Sequence, residues 1–134
     1  MAVARFPQLA HWGAFTALVE DVYARGLDKK VLVIVTGEFG RTPRLSYAEG
    51  RPGRDHWPQA MSMLVCGGGM RTGQVVGSTD AKGEHPKDRP LSPNDLWATM
   101  FRHLGIDCQN TSFLDPSGRP MPVLPYGEPI AELL

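Results

Sequence analysis

Val31-Leu32-Val33-Ile34-Val35-Thr36-Gly37-Glu38-Phe39-Gly40-Arg41 carries the clearest strand signal in the sequence. Its first five residues are continuously apolar and mostly β-branched. A short run of that kind predicts a strand buried on both faces, as in a parallel sheet flanked by helices. The run stops where a carboxylate and two glycines arrive together, at Gly37-Glu38-Phe39-Gly40. In open α/β sheets ligands bind outside the carboxyl ends of the strands, so polar residues here occupy the default functional position.

Working outward, Trp12, Phe15, Leu18, Val19, Val22 and Tyr23 recur at three- and four-residue steps and predict a helix from about Pro7 to Arg25. Gly26 is its left-handed stop, with Leu27 folding back. Downstream, residues 41–58 show no periodicity. Met61 to Cys66 reads as a second buried strand ended by Gly67-Gly68-Gly69, and Gln74 to Gly77 as a short edge strand. Ser78 to Arg89 reads as a polar loop. A second helix follows, with Ser92 as N-cap, Pro93 at its first position, Asp95 closing a capping box, and Gly105 ending it. Leu96, Trp97, Met100, Phe101 and Leu104 form its expected apolar face. Ile106 to Leu134 is extended and proline-rich, with a turn at Asp115-Pro116-Ser117-Gly118. No repeat or linker divides residues 1–134, which read as a single α/β domain.

The 134 residues suffice for one core, and 42% hydrophobic with 21% charged residues is an ordinary globular composition. Lys+Arg and Asp+Glu are both 14, a net charge of zero. A uniform field that would recruit nucleic acid or an anionic membrane is therefore absent, which weighs against both partners. No apolar run approaches the ~20 residues that span a bilayer. Met1 to Ala10 has one Arg and no long apolar core, so it does not read as a secretory signal. Cys66, in an apolar run, and Cys108, in a polar one, have no metal or redox spacing, which favours two unpaired thiols.

Glu38, at a strand's carboxyl end between glycines, suits a hard cation or a base; otherwise it is a loop carboxylate paired with Arg41. His56 beside Asp55, in a loop entering the second strand, suits an imidazole ligand oriented by a carboxylate. Any meeting of Glu38 and His56 must be tertiary. Arg41, Arg44, Arg51 and Arg54 offer the planar fork that fits phosphate and sulfate oxygens. Gly67-Gly68-Gly69 lacks the lysine ending of a phosphate loop and is set aside. His11, His85 and His103, without partners at ligand spacing, read as structural or surface residues.

Val33 to Pro43 followed by Gly53-Arg54-Asp55-His56-Trp57-Pro58 resembles the paired signature of domain-of-unknown-function family 1501, in the alkaline-phosphatase-like superfamily with the sulfatases. Further matching segments are Gly67-Gly68-Gly69, Gly73 to Gly77, Arg89-Pro90, Asp95-Leu96, Leu104-Gly105-Ile106 and Gly118-Arg119-Pro120, so nearly the whole chain is covered. The resemblance implies part of a three-layer α/β/α sandwich with a mainly parallel central sheet, this chain being the C-terminal portion. It implies that Glu38 inherits an acidic metal-ligand role. Phe39 stands where the superfamily carries a histidine. His56 looks like a separate downstream ligand, with Asp55 as its neighbour.

The expected function is then the C-terminal portion of a metal-dependent hydrolase of phosphate or sulfate esters. Glu38 and His56 would hold a divalent ion (zinc, calcium or magnesium), and Arg41 and Arg54 would neutralise the substrate's oxyanion. The substrate would be a small phosphorylated or sulfated ester. No residue here takes the nucleophile's place, so the remainder of the fold is the expected partner. The rival expectations are a degenerate or truncated non-catalytic binding module lacking the nucleophile, and a purely structural lobe. The resemblance suggests an exported protein, without a signal to show it.

Overall fold

Apolar residues at helical spacing become helices, and each helix stops where a glycine takes a positive φ. The computed structural model describes residues 9–134. The first helix, α1, spans Leu9–Ala24, so the expected start at Pro7 lies outside the described residues, as do the side chains of His11 and Trp12. Gly26 has φ 66°. Its N–H donates to the Tyr23 carbonyl at 3.0 Å and that of Leu27 to the Val22 carbonyl at 2.9 Å, the paired bonds of a Schellman stop. Phe15, Val19 and Val22 form the inward stripe. Leu18 and Tyr23, expected on the same face, stand 45% and 44% exposed.

The chain continues through β1 (Leu32–Val35), β2 (Gly40–Arg41), β3 (Ser46–Ala48), β4 (Arg51–Gly53), β5 (His56–Trp57), β6 (Leu64–Gly67), β7 (Ser78–Thr79) and β8 (Pro86–Asp88). The second helix, α2 (Pro93–His103), is followed by β9 (Ser112–Leu114), β10 (Pro120–Pro122) and a 3-10 turn at Ala131–Leu133.

The expected sandwich with a mainly parallel sheet does not form. β1 pairs with β6 antiparallel, from Leu32 opposite Gly67 to Val35 opposite Leu64. Every described strand pair is antiparallel and two-stranded. β1 is half-buried along its length rather than buried on both faces. A parallel return needs a long crossover, usually a helix. Residues 36–63 carry Pro, Gly and Arg without helical periodicity, and they fold back on themselves instead. The pairings β1–β6, β2–β5 and β3–β4 nest inside one another, making one long interrupted hairpin. Its tip is Glu49-Gly50, with φ 52° and 74°, the two positive values that a tight two-residue hairpin turn demands.

Two other strand expectations shift. The second strand begins at Leu64 rather than Met61, and Gln74 to Gly77 is not a strand; pairing starts at Ser78, whose partner is Asp88. The loop expected from Ser78 to Arg89 is therefore a hairpin, β7–β8. Gln74 acts through its side chain, which donates to the carbonyls of Arg71 (3.1 Å) and Glu132 (2.6 Å).

α2 has the expected capping box. The Ser92 hydroxyl accepts from Asp95 N–H, and the Asp95 carboxylate accepts from Ser92 N–H at 2.7 Å. Its most buried residues are Ala98 and Thr99, 0% and 1% exposed, while Trp97 and Leu104, expected on the apolar face, are 48% and 65% exposed. The C-terminal tail decides this, because it crosses the helix at Thr99. The Thr99 hydroxyl donates to the Asp95 carbonyl at 2.7 Å and accepts from Ile130 N–H at 2.9 Å. Asp95 also accepts from Glu128 N–H at 2.9 Å, and Arg89 grips Glu132 with two bonds of 2.6 and 3.1 Å. The best-buried apolar side chains are Val22, Cys66, Ala98, Cys108, Ile130 and Leu133. Both thiols are free, and burial pushes that of Cys66 up. Among the described residues no helix is long and apolar enough to cross a membrane.

Candidate functional site

Past β1 the chain bends at Glu38-Phe39 and enters β2. There Gly40 faces Trp57 and Arg41 faces His56 across the antiparallel β2–β5 pair. Residues directly opposite share one face of such a pair, so Arg41 and His56 are side-by-side neighbours. Gly40 is required by contact. A Cβ on it would lie 1.8 Å from the Ala60 carbonyl oxygen, so a larger residue would push away the backbone that follows β5. Phe39 covers the histidine, its ring centroid 4.5 Å from that of His56 with the planes tilted 31°.

Thr42 clamps the entry to β5. Its N–H donates to the Asp55 carbonyl at 2.9 Å, and its hydroxyl accepts from Asp55 N–H at 3.0 Å while donating to the Arg44 carbonyl at 2.9 Å. Asp55 is thus held next to His56 through the main chain. Trp57 anchors the far side, donating its indole N–H to the Glu84 carbonyl at 2.6 Å, with His85 at a ring separation of 6.0 Å. The loop carrying Glu84 and His85 is itself organised by Asp80, which accepts from the N–H groups of Lys82, Glu84 and His85; the Glu84 bond foremost holds its carboxyl below the usual range.

The hairpin therefore draws the segment after Glu38 and the segment holding His56 together as adjacent strands, with Arg41 beside His56. Glu38, Arg41, Arg54, Asp55 and His56 are all exposed. Sequence reading missed Thr42, Trp57 and Gly40 as the parts that hold this arrangement. A threonine and an aspartate flanking the two motifs were visible, but nothing in the sequence announced that they would meet. Among the described residues no group of three or more His, Cys, Asp and Glu gathers where it could hold a metal ion. Glu38 and His56 alone fall short of the four ligands that zinc takes and the six or more of calcium. Glu38 and His56 could supply two of a divalent ion's ligands and no more.

The family model described as "Protein of unknown function (DUF1501)" matches residues 10–134. No curated protein and no solved structure matches the chain.

Proposed function

We propose, for a chain that belongs to the DUF1501 family, that it is the C-terminal portion of a sulfatase- or phosphatase-like hydrolase of phosphate or sulfate esters. The observation that carries the reading is the β2–β5 pairing, which seats Arg41, three residues after Glu38, opposite His56. In this reading Glu38 and His56 contribute two ligands to a divalent metal whose remaining ligands, and the nucleophile, lie outside the described residues. Arg41 and Arg54 present guanidinium forks to the ester's oxygens. The superfamily link rests on the motifs around Glu38 and His56, since the sheet gives it no support.

The test is turnover of nitrophenyl phosphate and nitrophenyl sulfate, with added divalent metal, by the protein containing both this chain and the nucleophile. Glu38→Gln is expected to lower metal-dependent turnover by at least about 100-fold, the upper end of the loss seen when even a partner that only orients a metal ligand is removed. Full activity in that variant sinks the assignment. The Phe39 ring stacked on His56 favours a second reading, a binding module without turnover. Elemental analysis separates the two: a stoichiometric divalent ion retained through dialysis supports the hydrolase, and none supports the module.

A further inference from the structure

We infer that the cavity at the base of the long hairpin, where Lys29, Arg102 and His103 converge, is a binding site for a small doubly charged oxyanion borne on a short apolar body. The site is separate from the one above and does not rest on the hydrolase reading. The β1–β6 register puts Gly67 beside Leu32 and Leu64 beside Val35, so the turn after Gly67 lies at the amino end of β1. Glu38 follows the carboxyl end.

The space is an open surface depression of about 390 Å³, with Lys29 and Arg102 exposed at its rim and His103 half-buried. Lys29 comes from the loop after α1, Arg102 and His103 from the last turn of α2, and no acidic side chain lines the space. Among the described residues these three side chains have no ion-pair or hydrogen-bond partner, whereas Arg25, Arg89 and Arg119 each hold a carboxylate. Arg102 also borders a neighbouring cavity with Asp107 and Glu128, but forms no ion pair with either.

Recognition falls to the side chains because the turn's own donors are occupied. Gly68 N–H bonds the Val31 carbonyl (2.8 Å), Gly69 N–H that of Asp28 (2.9 Å) and Met70 N–H that of Gly67 (3.1 Å). These bonds also make the floor rigid. A Cβ on Gly68 would come within 3.1 Å of His103 Nδ1 and of the Leu32 side chain, so glycine lets the imidazole rest on the turn. The competing role for Arg102 and His103 is to complement the helix dipole. That role needs neither Lys29 nor a shared cavity, and the dipole's roughly half charge leaves the cluster cationic. Met70 and Leu133 supply an apolar wall beside the cations, suited to the organic part of a phosphonate or phosphate monoester.

The test is calorimetric titration of the full chain with phenylphosphonate, which is not a hydrolase substrate, and separately with inorganic phosphate. Saturable one-to-one binding is expected, tighter for phenylphosphonate. The Lys29→Gln/Arg102→Gln pair should weaken it at least about tenfold, and Arg102→Lys in place of Arg102→Gln should recover part of the loss. Lys30→Gln, which removes the same charge outside the cavity, and Glu38→Gln should leave it unchanged. Circular dichroism checks that the variants remain folded. No saturation by about 10 mM, or a Lys30→Gln loss equal to that of Lys29→Gln, overturns the site. Phosphate binding as tightly as phenylphosphonate overturns the organic half and makes a free inorganic anion the occupant.

Discussion

Thr99 is 1% exposed, and its hydroxyl joins α2 to the tail by donating to the Asp95 carbonyl and accepting from Ile130 N–H. Thr99→Val keeps the shape and strands the buried Ile130 N–H. The expected loss is about 1–3 kcal/mol of unfolding free energy; a change within about 0.5 kcal/mol, the range of neutral surface substitutions, would show that the tail is not held this way. Asp115 is one acid-sensitive residue. The Ser117 hydroxyl, followed by Arg119 and Ser117 main-chain and Arg119 side-chain donors, lowers its carboxyl to about 2. A lowered folded pKa gives stability that is complete above the unfolded value of about 4 and is lost as pH falls through the folded one. The β9–β10 hairpin should therefore loosen between about pH 4 and 2, read from the amide resonances of Ser117 and Arg119. Asp115→Asn should abolish that step.

Elements were legible where their cause is local. The Ser92–Asp95 box, the stops at Gly26 and Gly105, and the Asp115 turn each depend on residues within a few positions, and all form as the sequence indicates. Ser92→Ala should cost about 1 kcal/mol, measured by thermal unfolding; no loss would mean that the tail alone fixes the start of α2. The long hairpin was not legible. An apolar run such as Val31–Val35 specifies a strand but carries no sign of its partner's direction. The deciding turn, Glu49-Gly50, puts a glutamate at a positive φ of 52°, where asparagine or aspartate usually stands. The pairing of Arg41 with His56 was hidden for the same reason, since it inherits its register from that tip. Glu38, Asp55 and His56 were visible as candidates because carboxylates and imidazoles beside strands carry chemistry in any fold.

At the scale of the molecule, the accessible surface is 10369 Å², against about 6,900 Å² for a self-contained protein of this mass. The chain buries about half of what it would expose unfolded, where about two-thirds is usual. Val75 (93%), Leu114 (71%), Tyr47 (70%) and Tyr126 (68%) are among its exposed apolar side chains. The urea dependence of its stability follows the area buried. The isolated chain should unfold in a shallow transition, with a slope near or below about 1 kcal/mol per molar. A slope of about 2 or more would show that it needs nothing further to complete its core.

The half-buried strand β1 has a further consequence. Leu32–Val35 sits in a β-branched, uncharged run paired on one side by β6 and by no second strand among the described residues. Short segments of that composition are the raw material of steric zippers, in which copies of one strand stack along a fibril. Charges at the flanks of such a segment act as gatekeepers, because stacked copies would bring like charges into register. Asp28, Lys29 and Lys30 stand before the run and Glu38 after it. Glu38→Gln is therefore expected to raise the tendency of β1 to self-stack, read as faster thioflavin-positive aggregation of the unfolding chain.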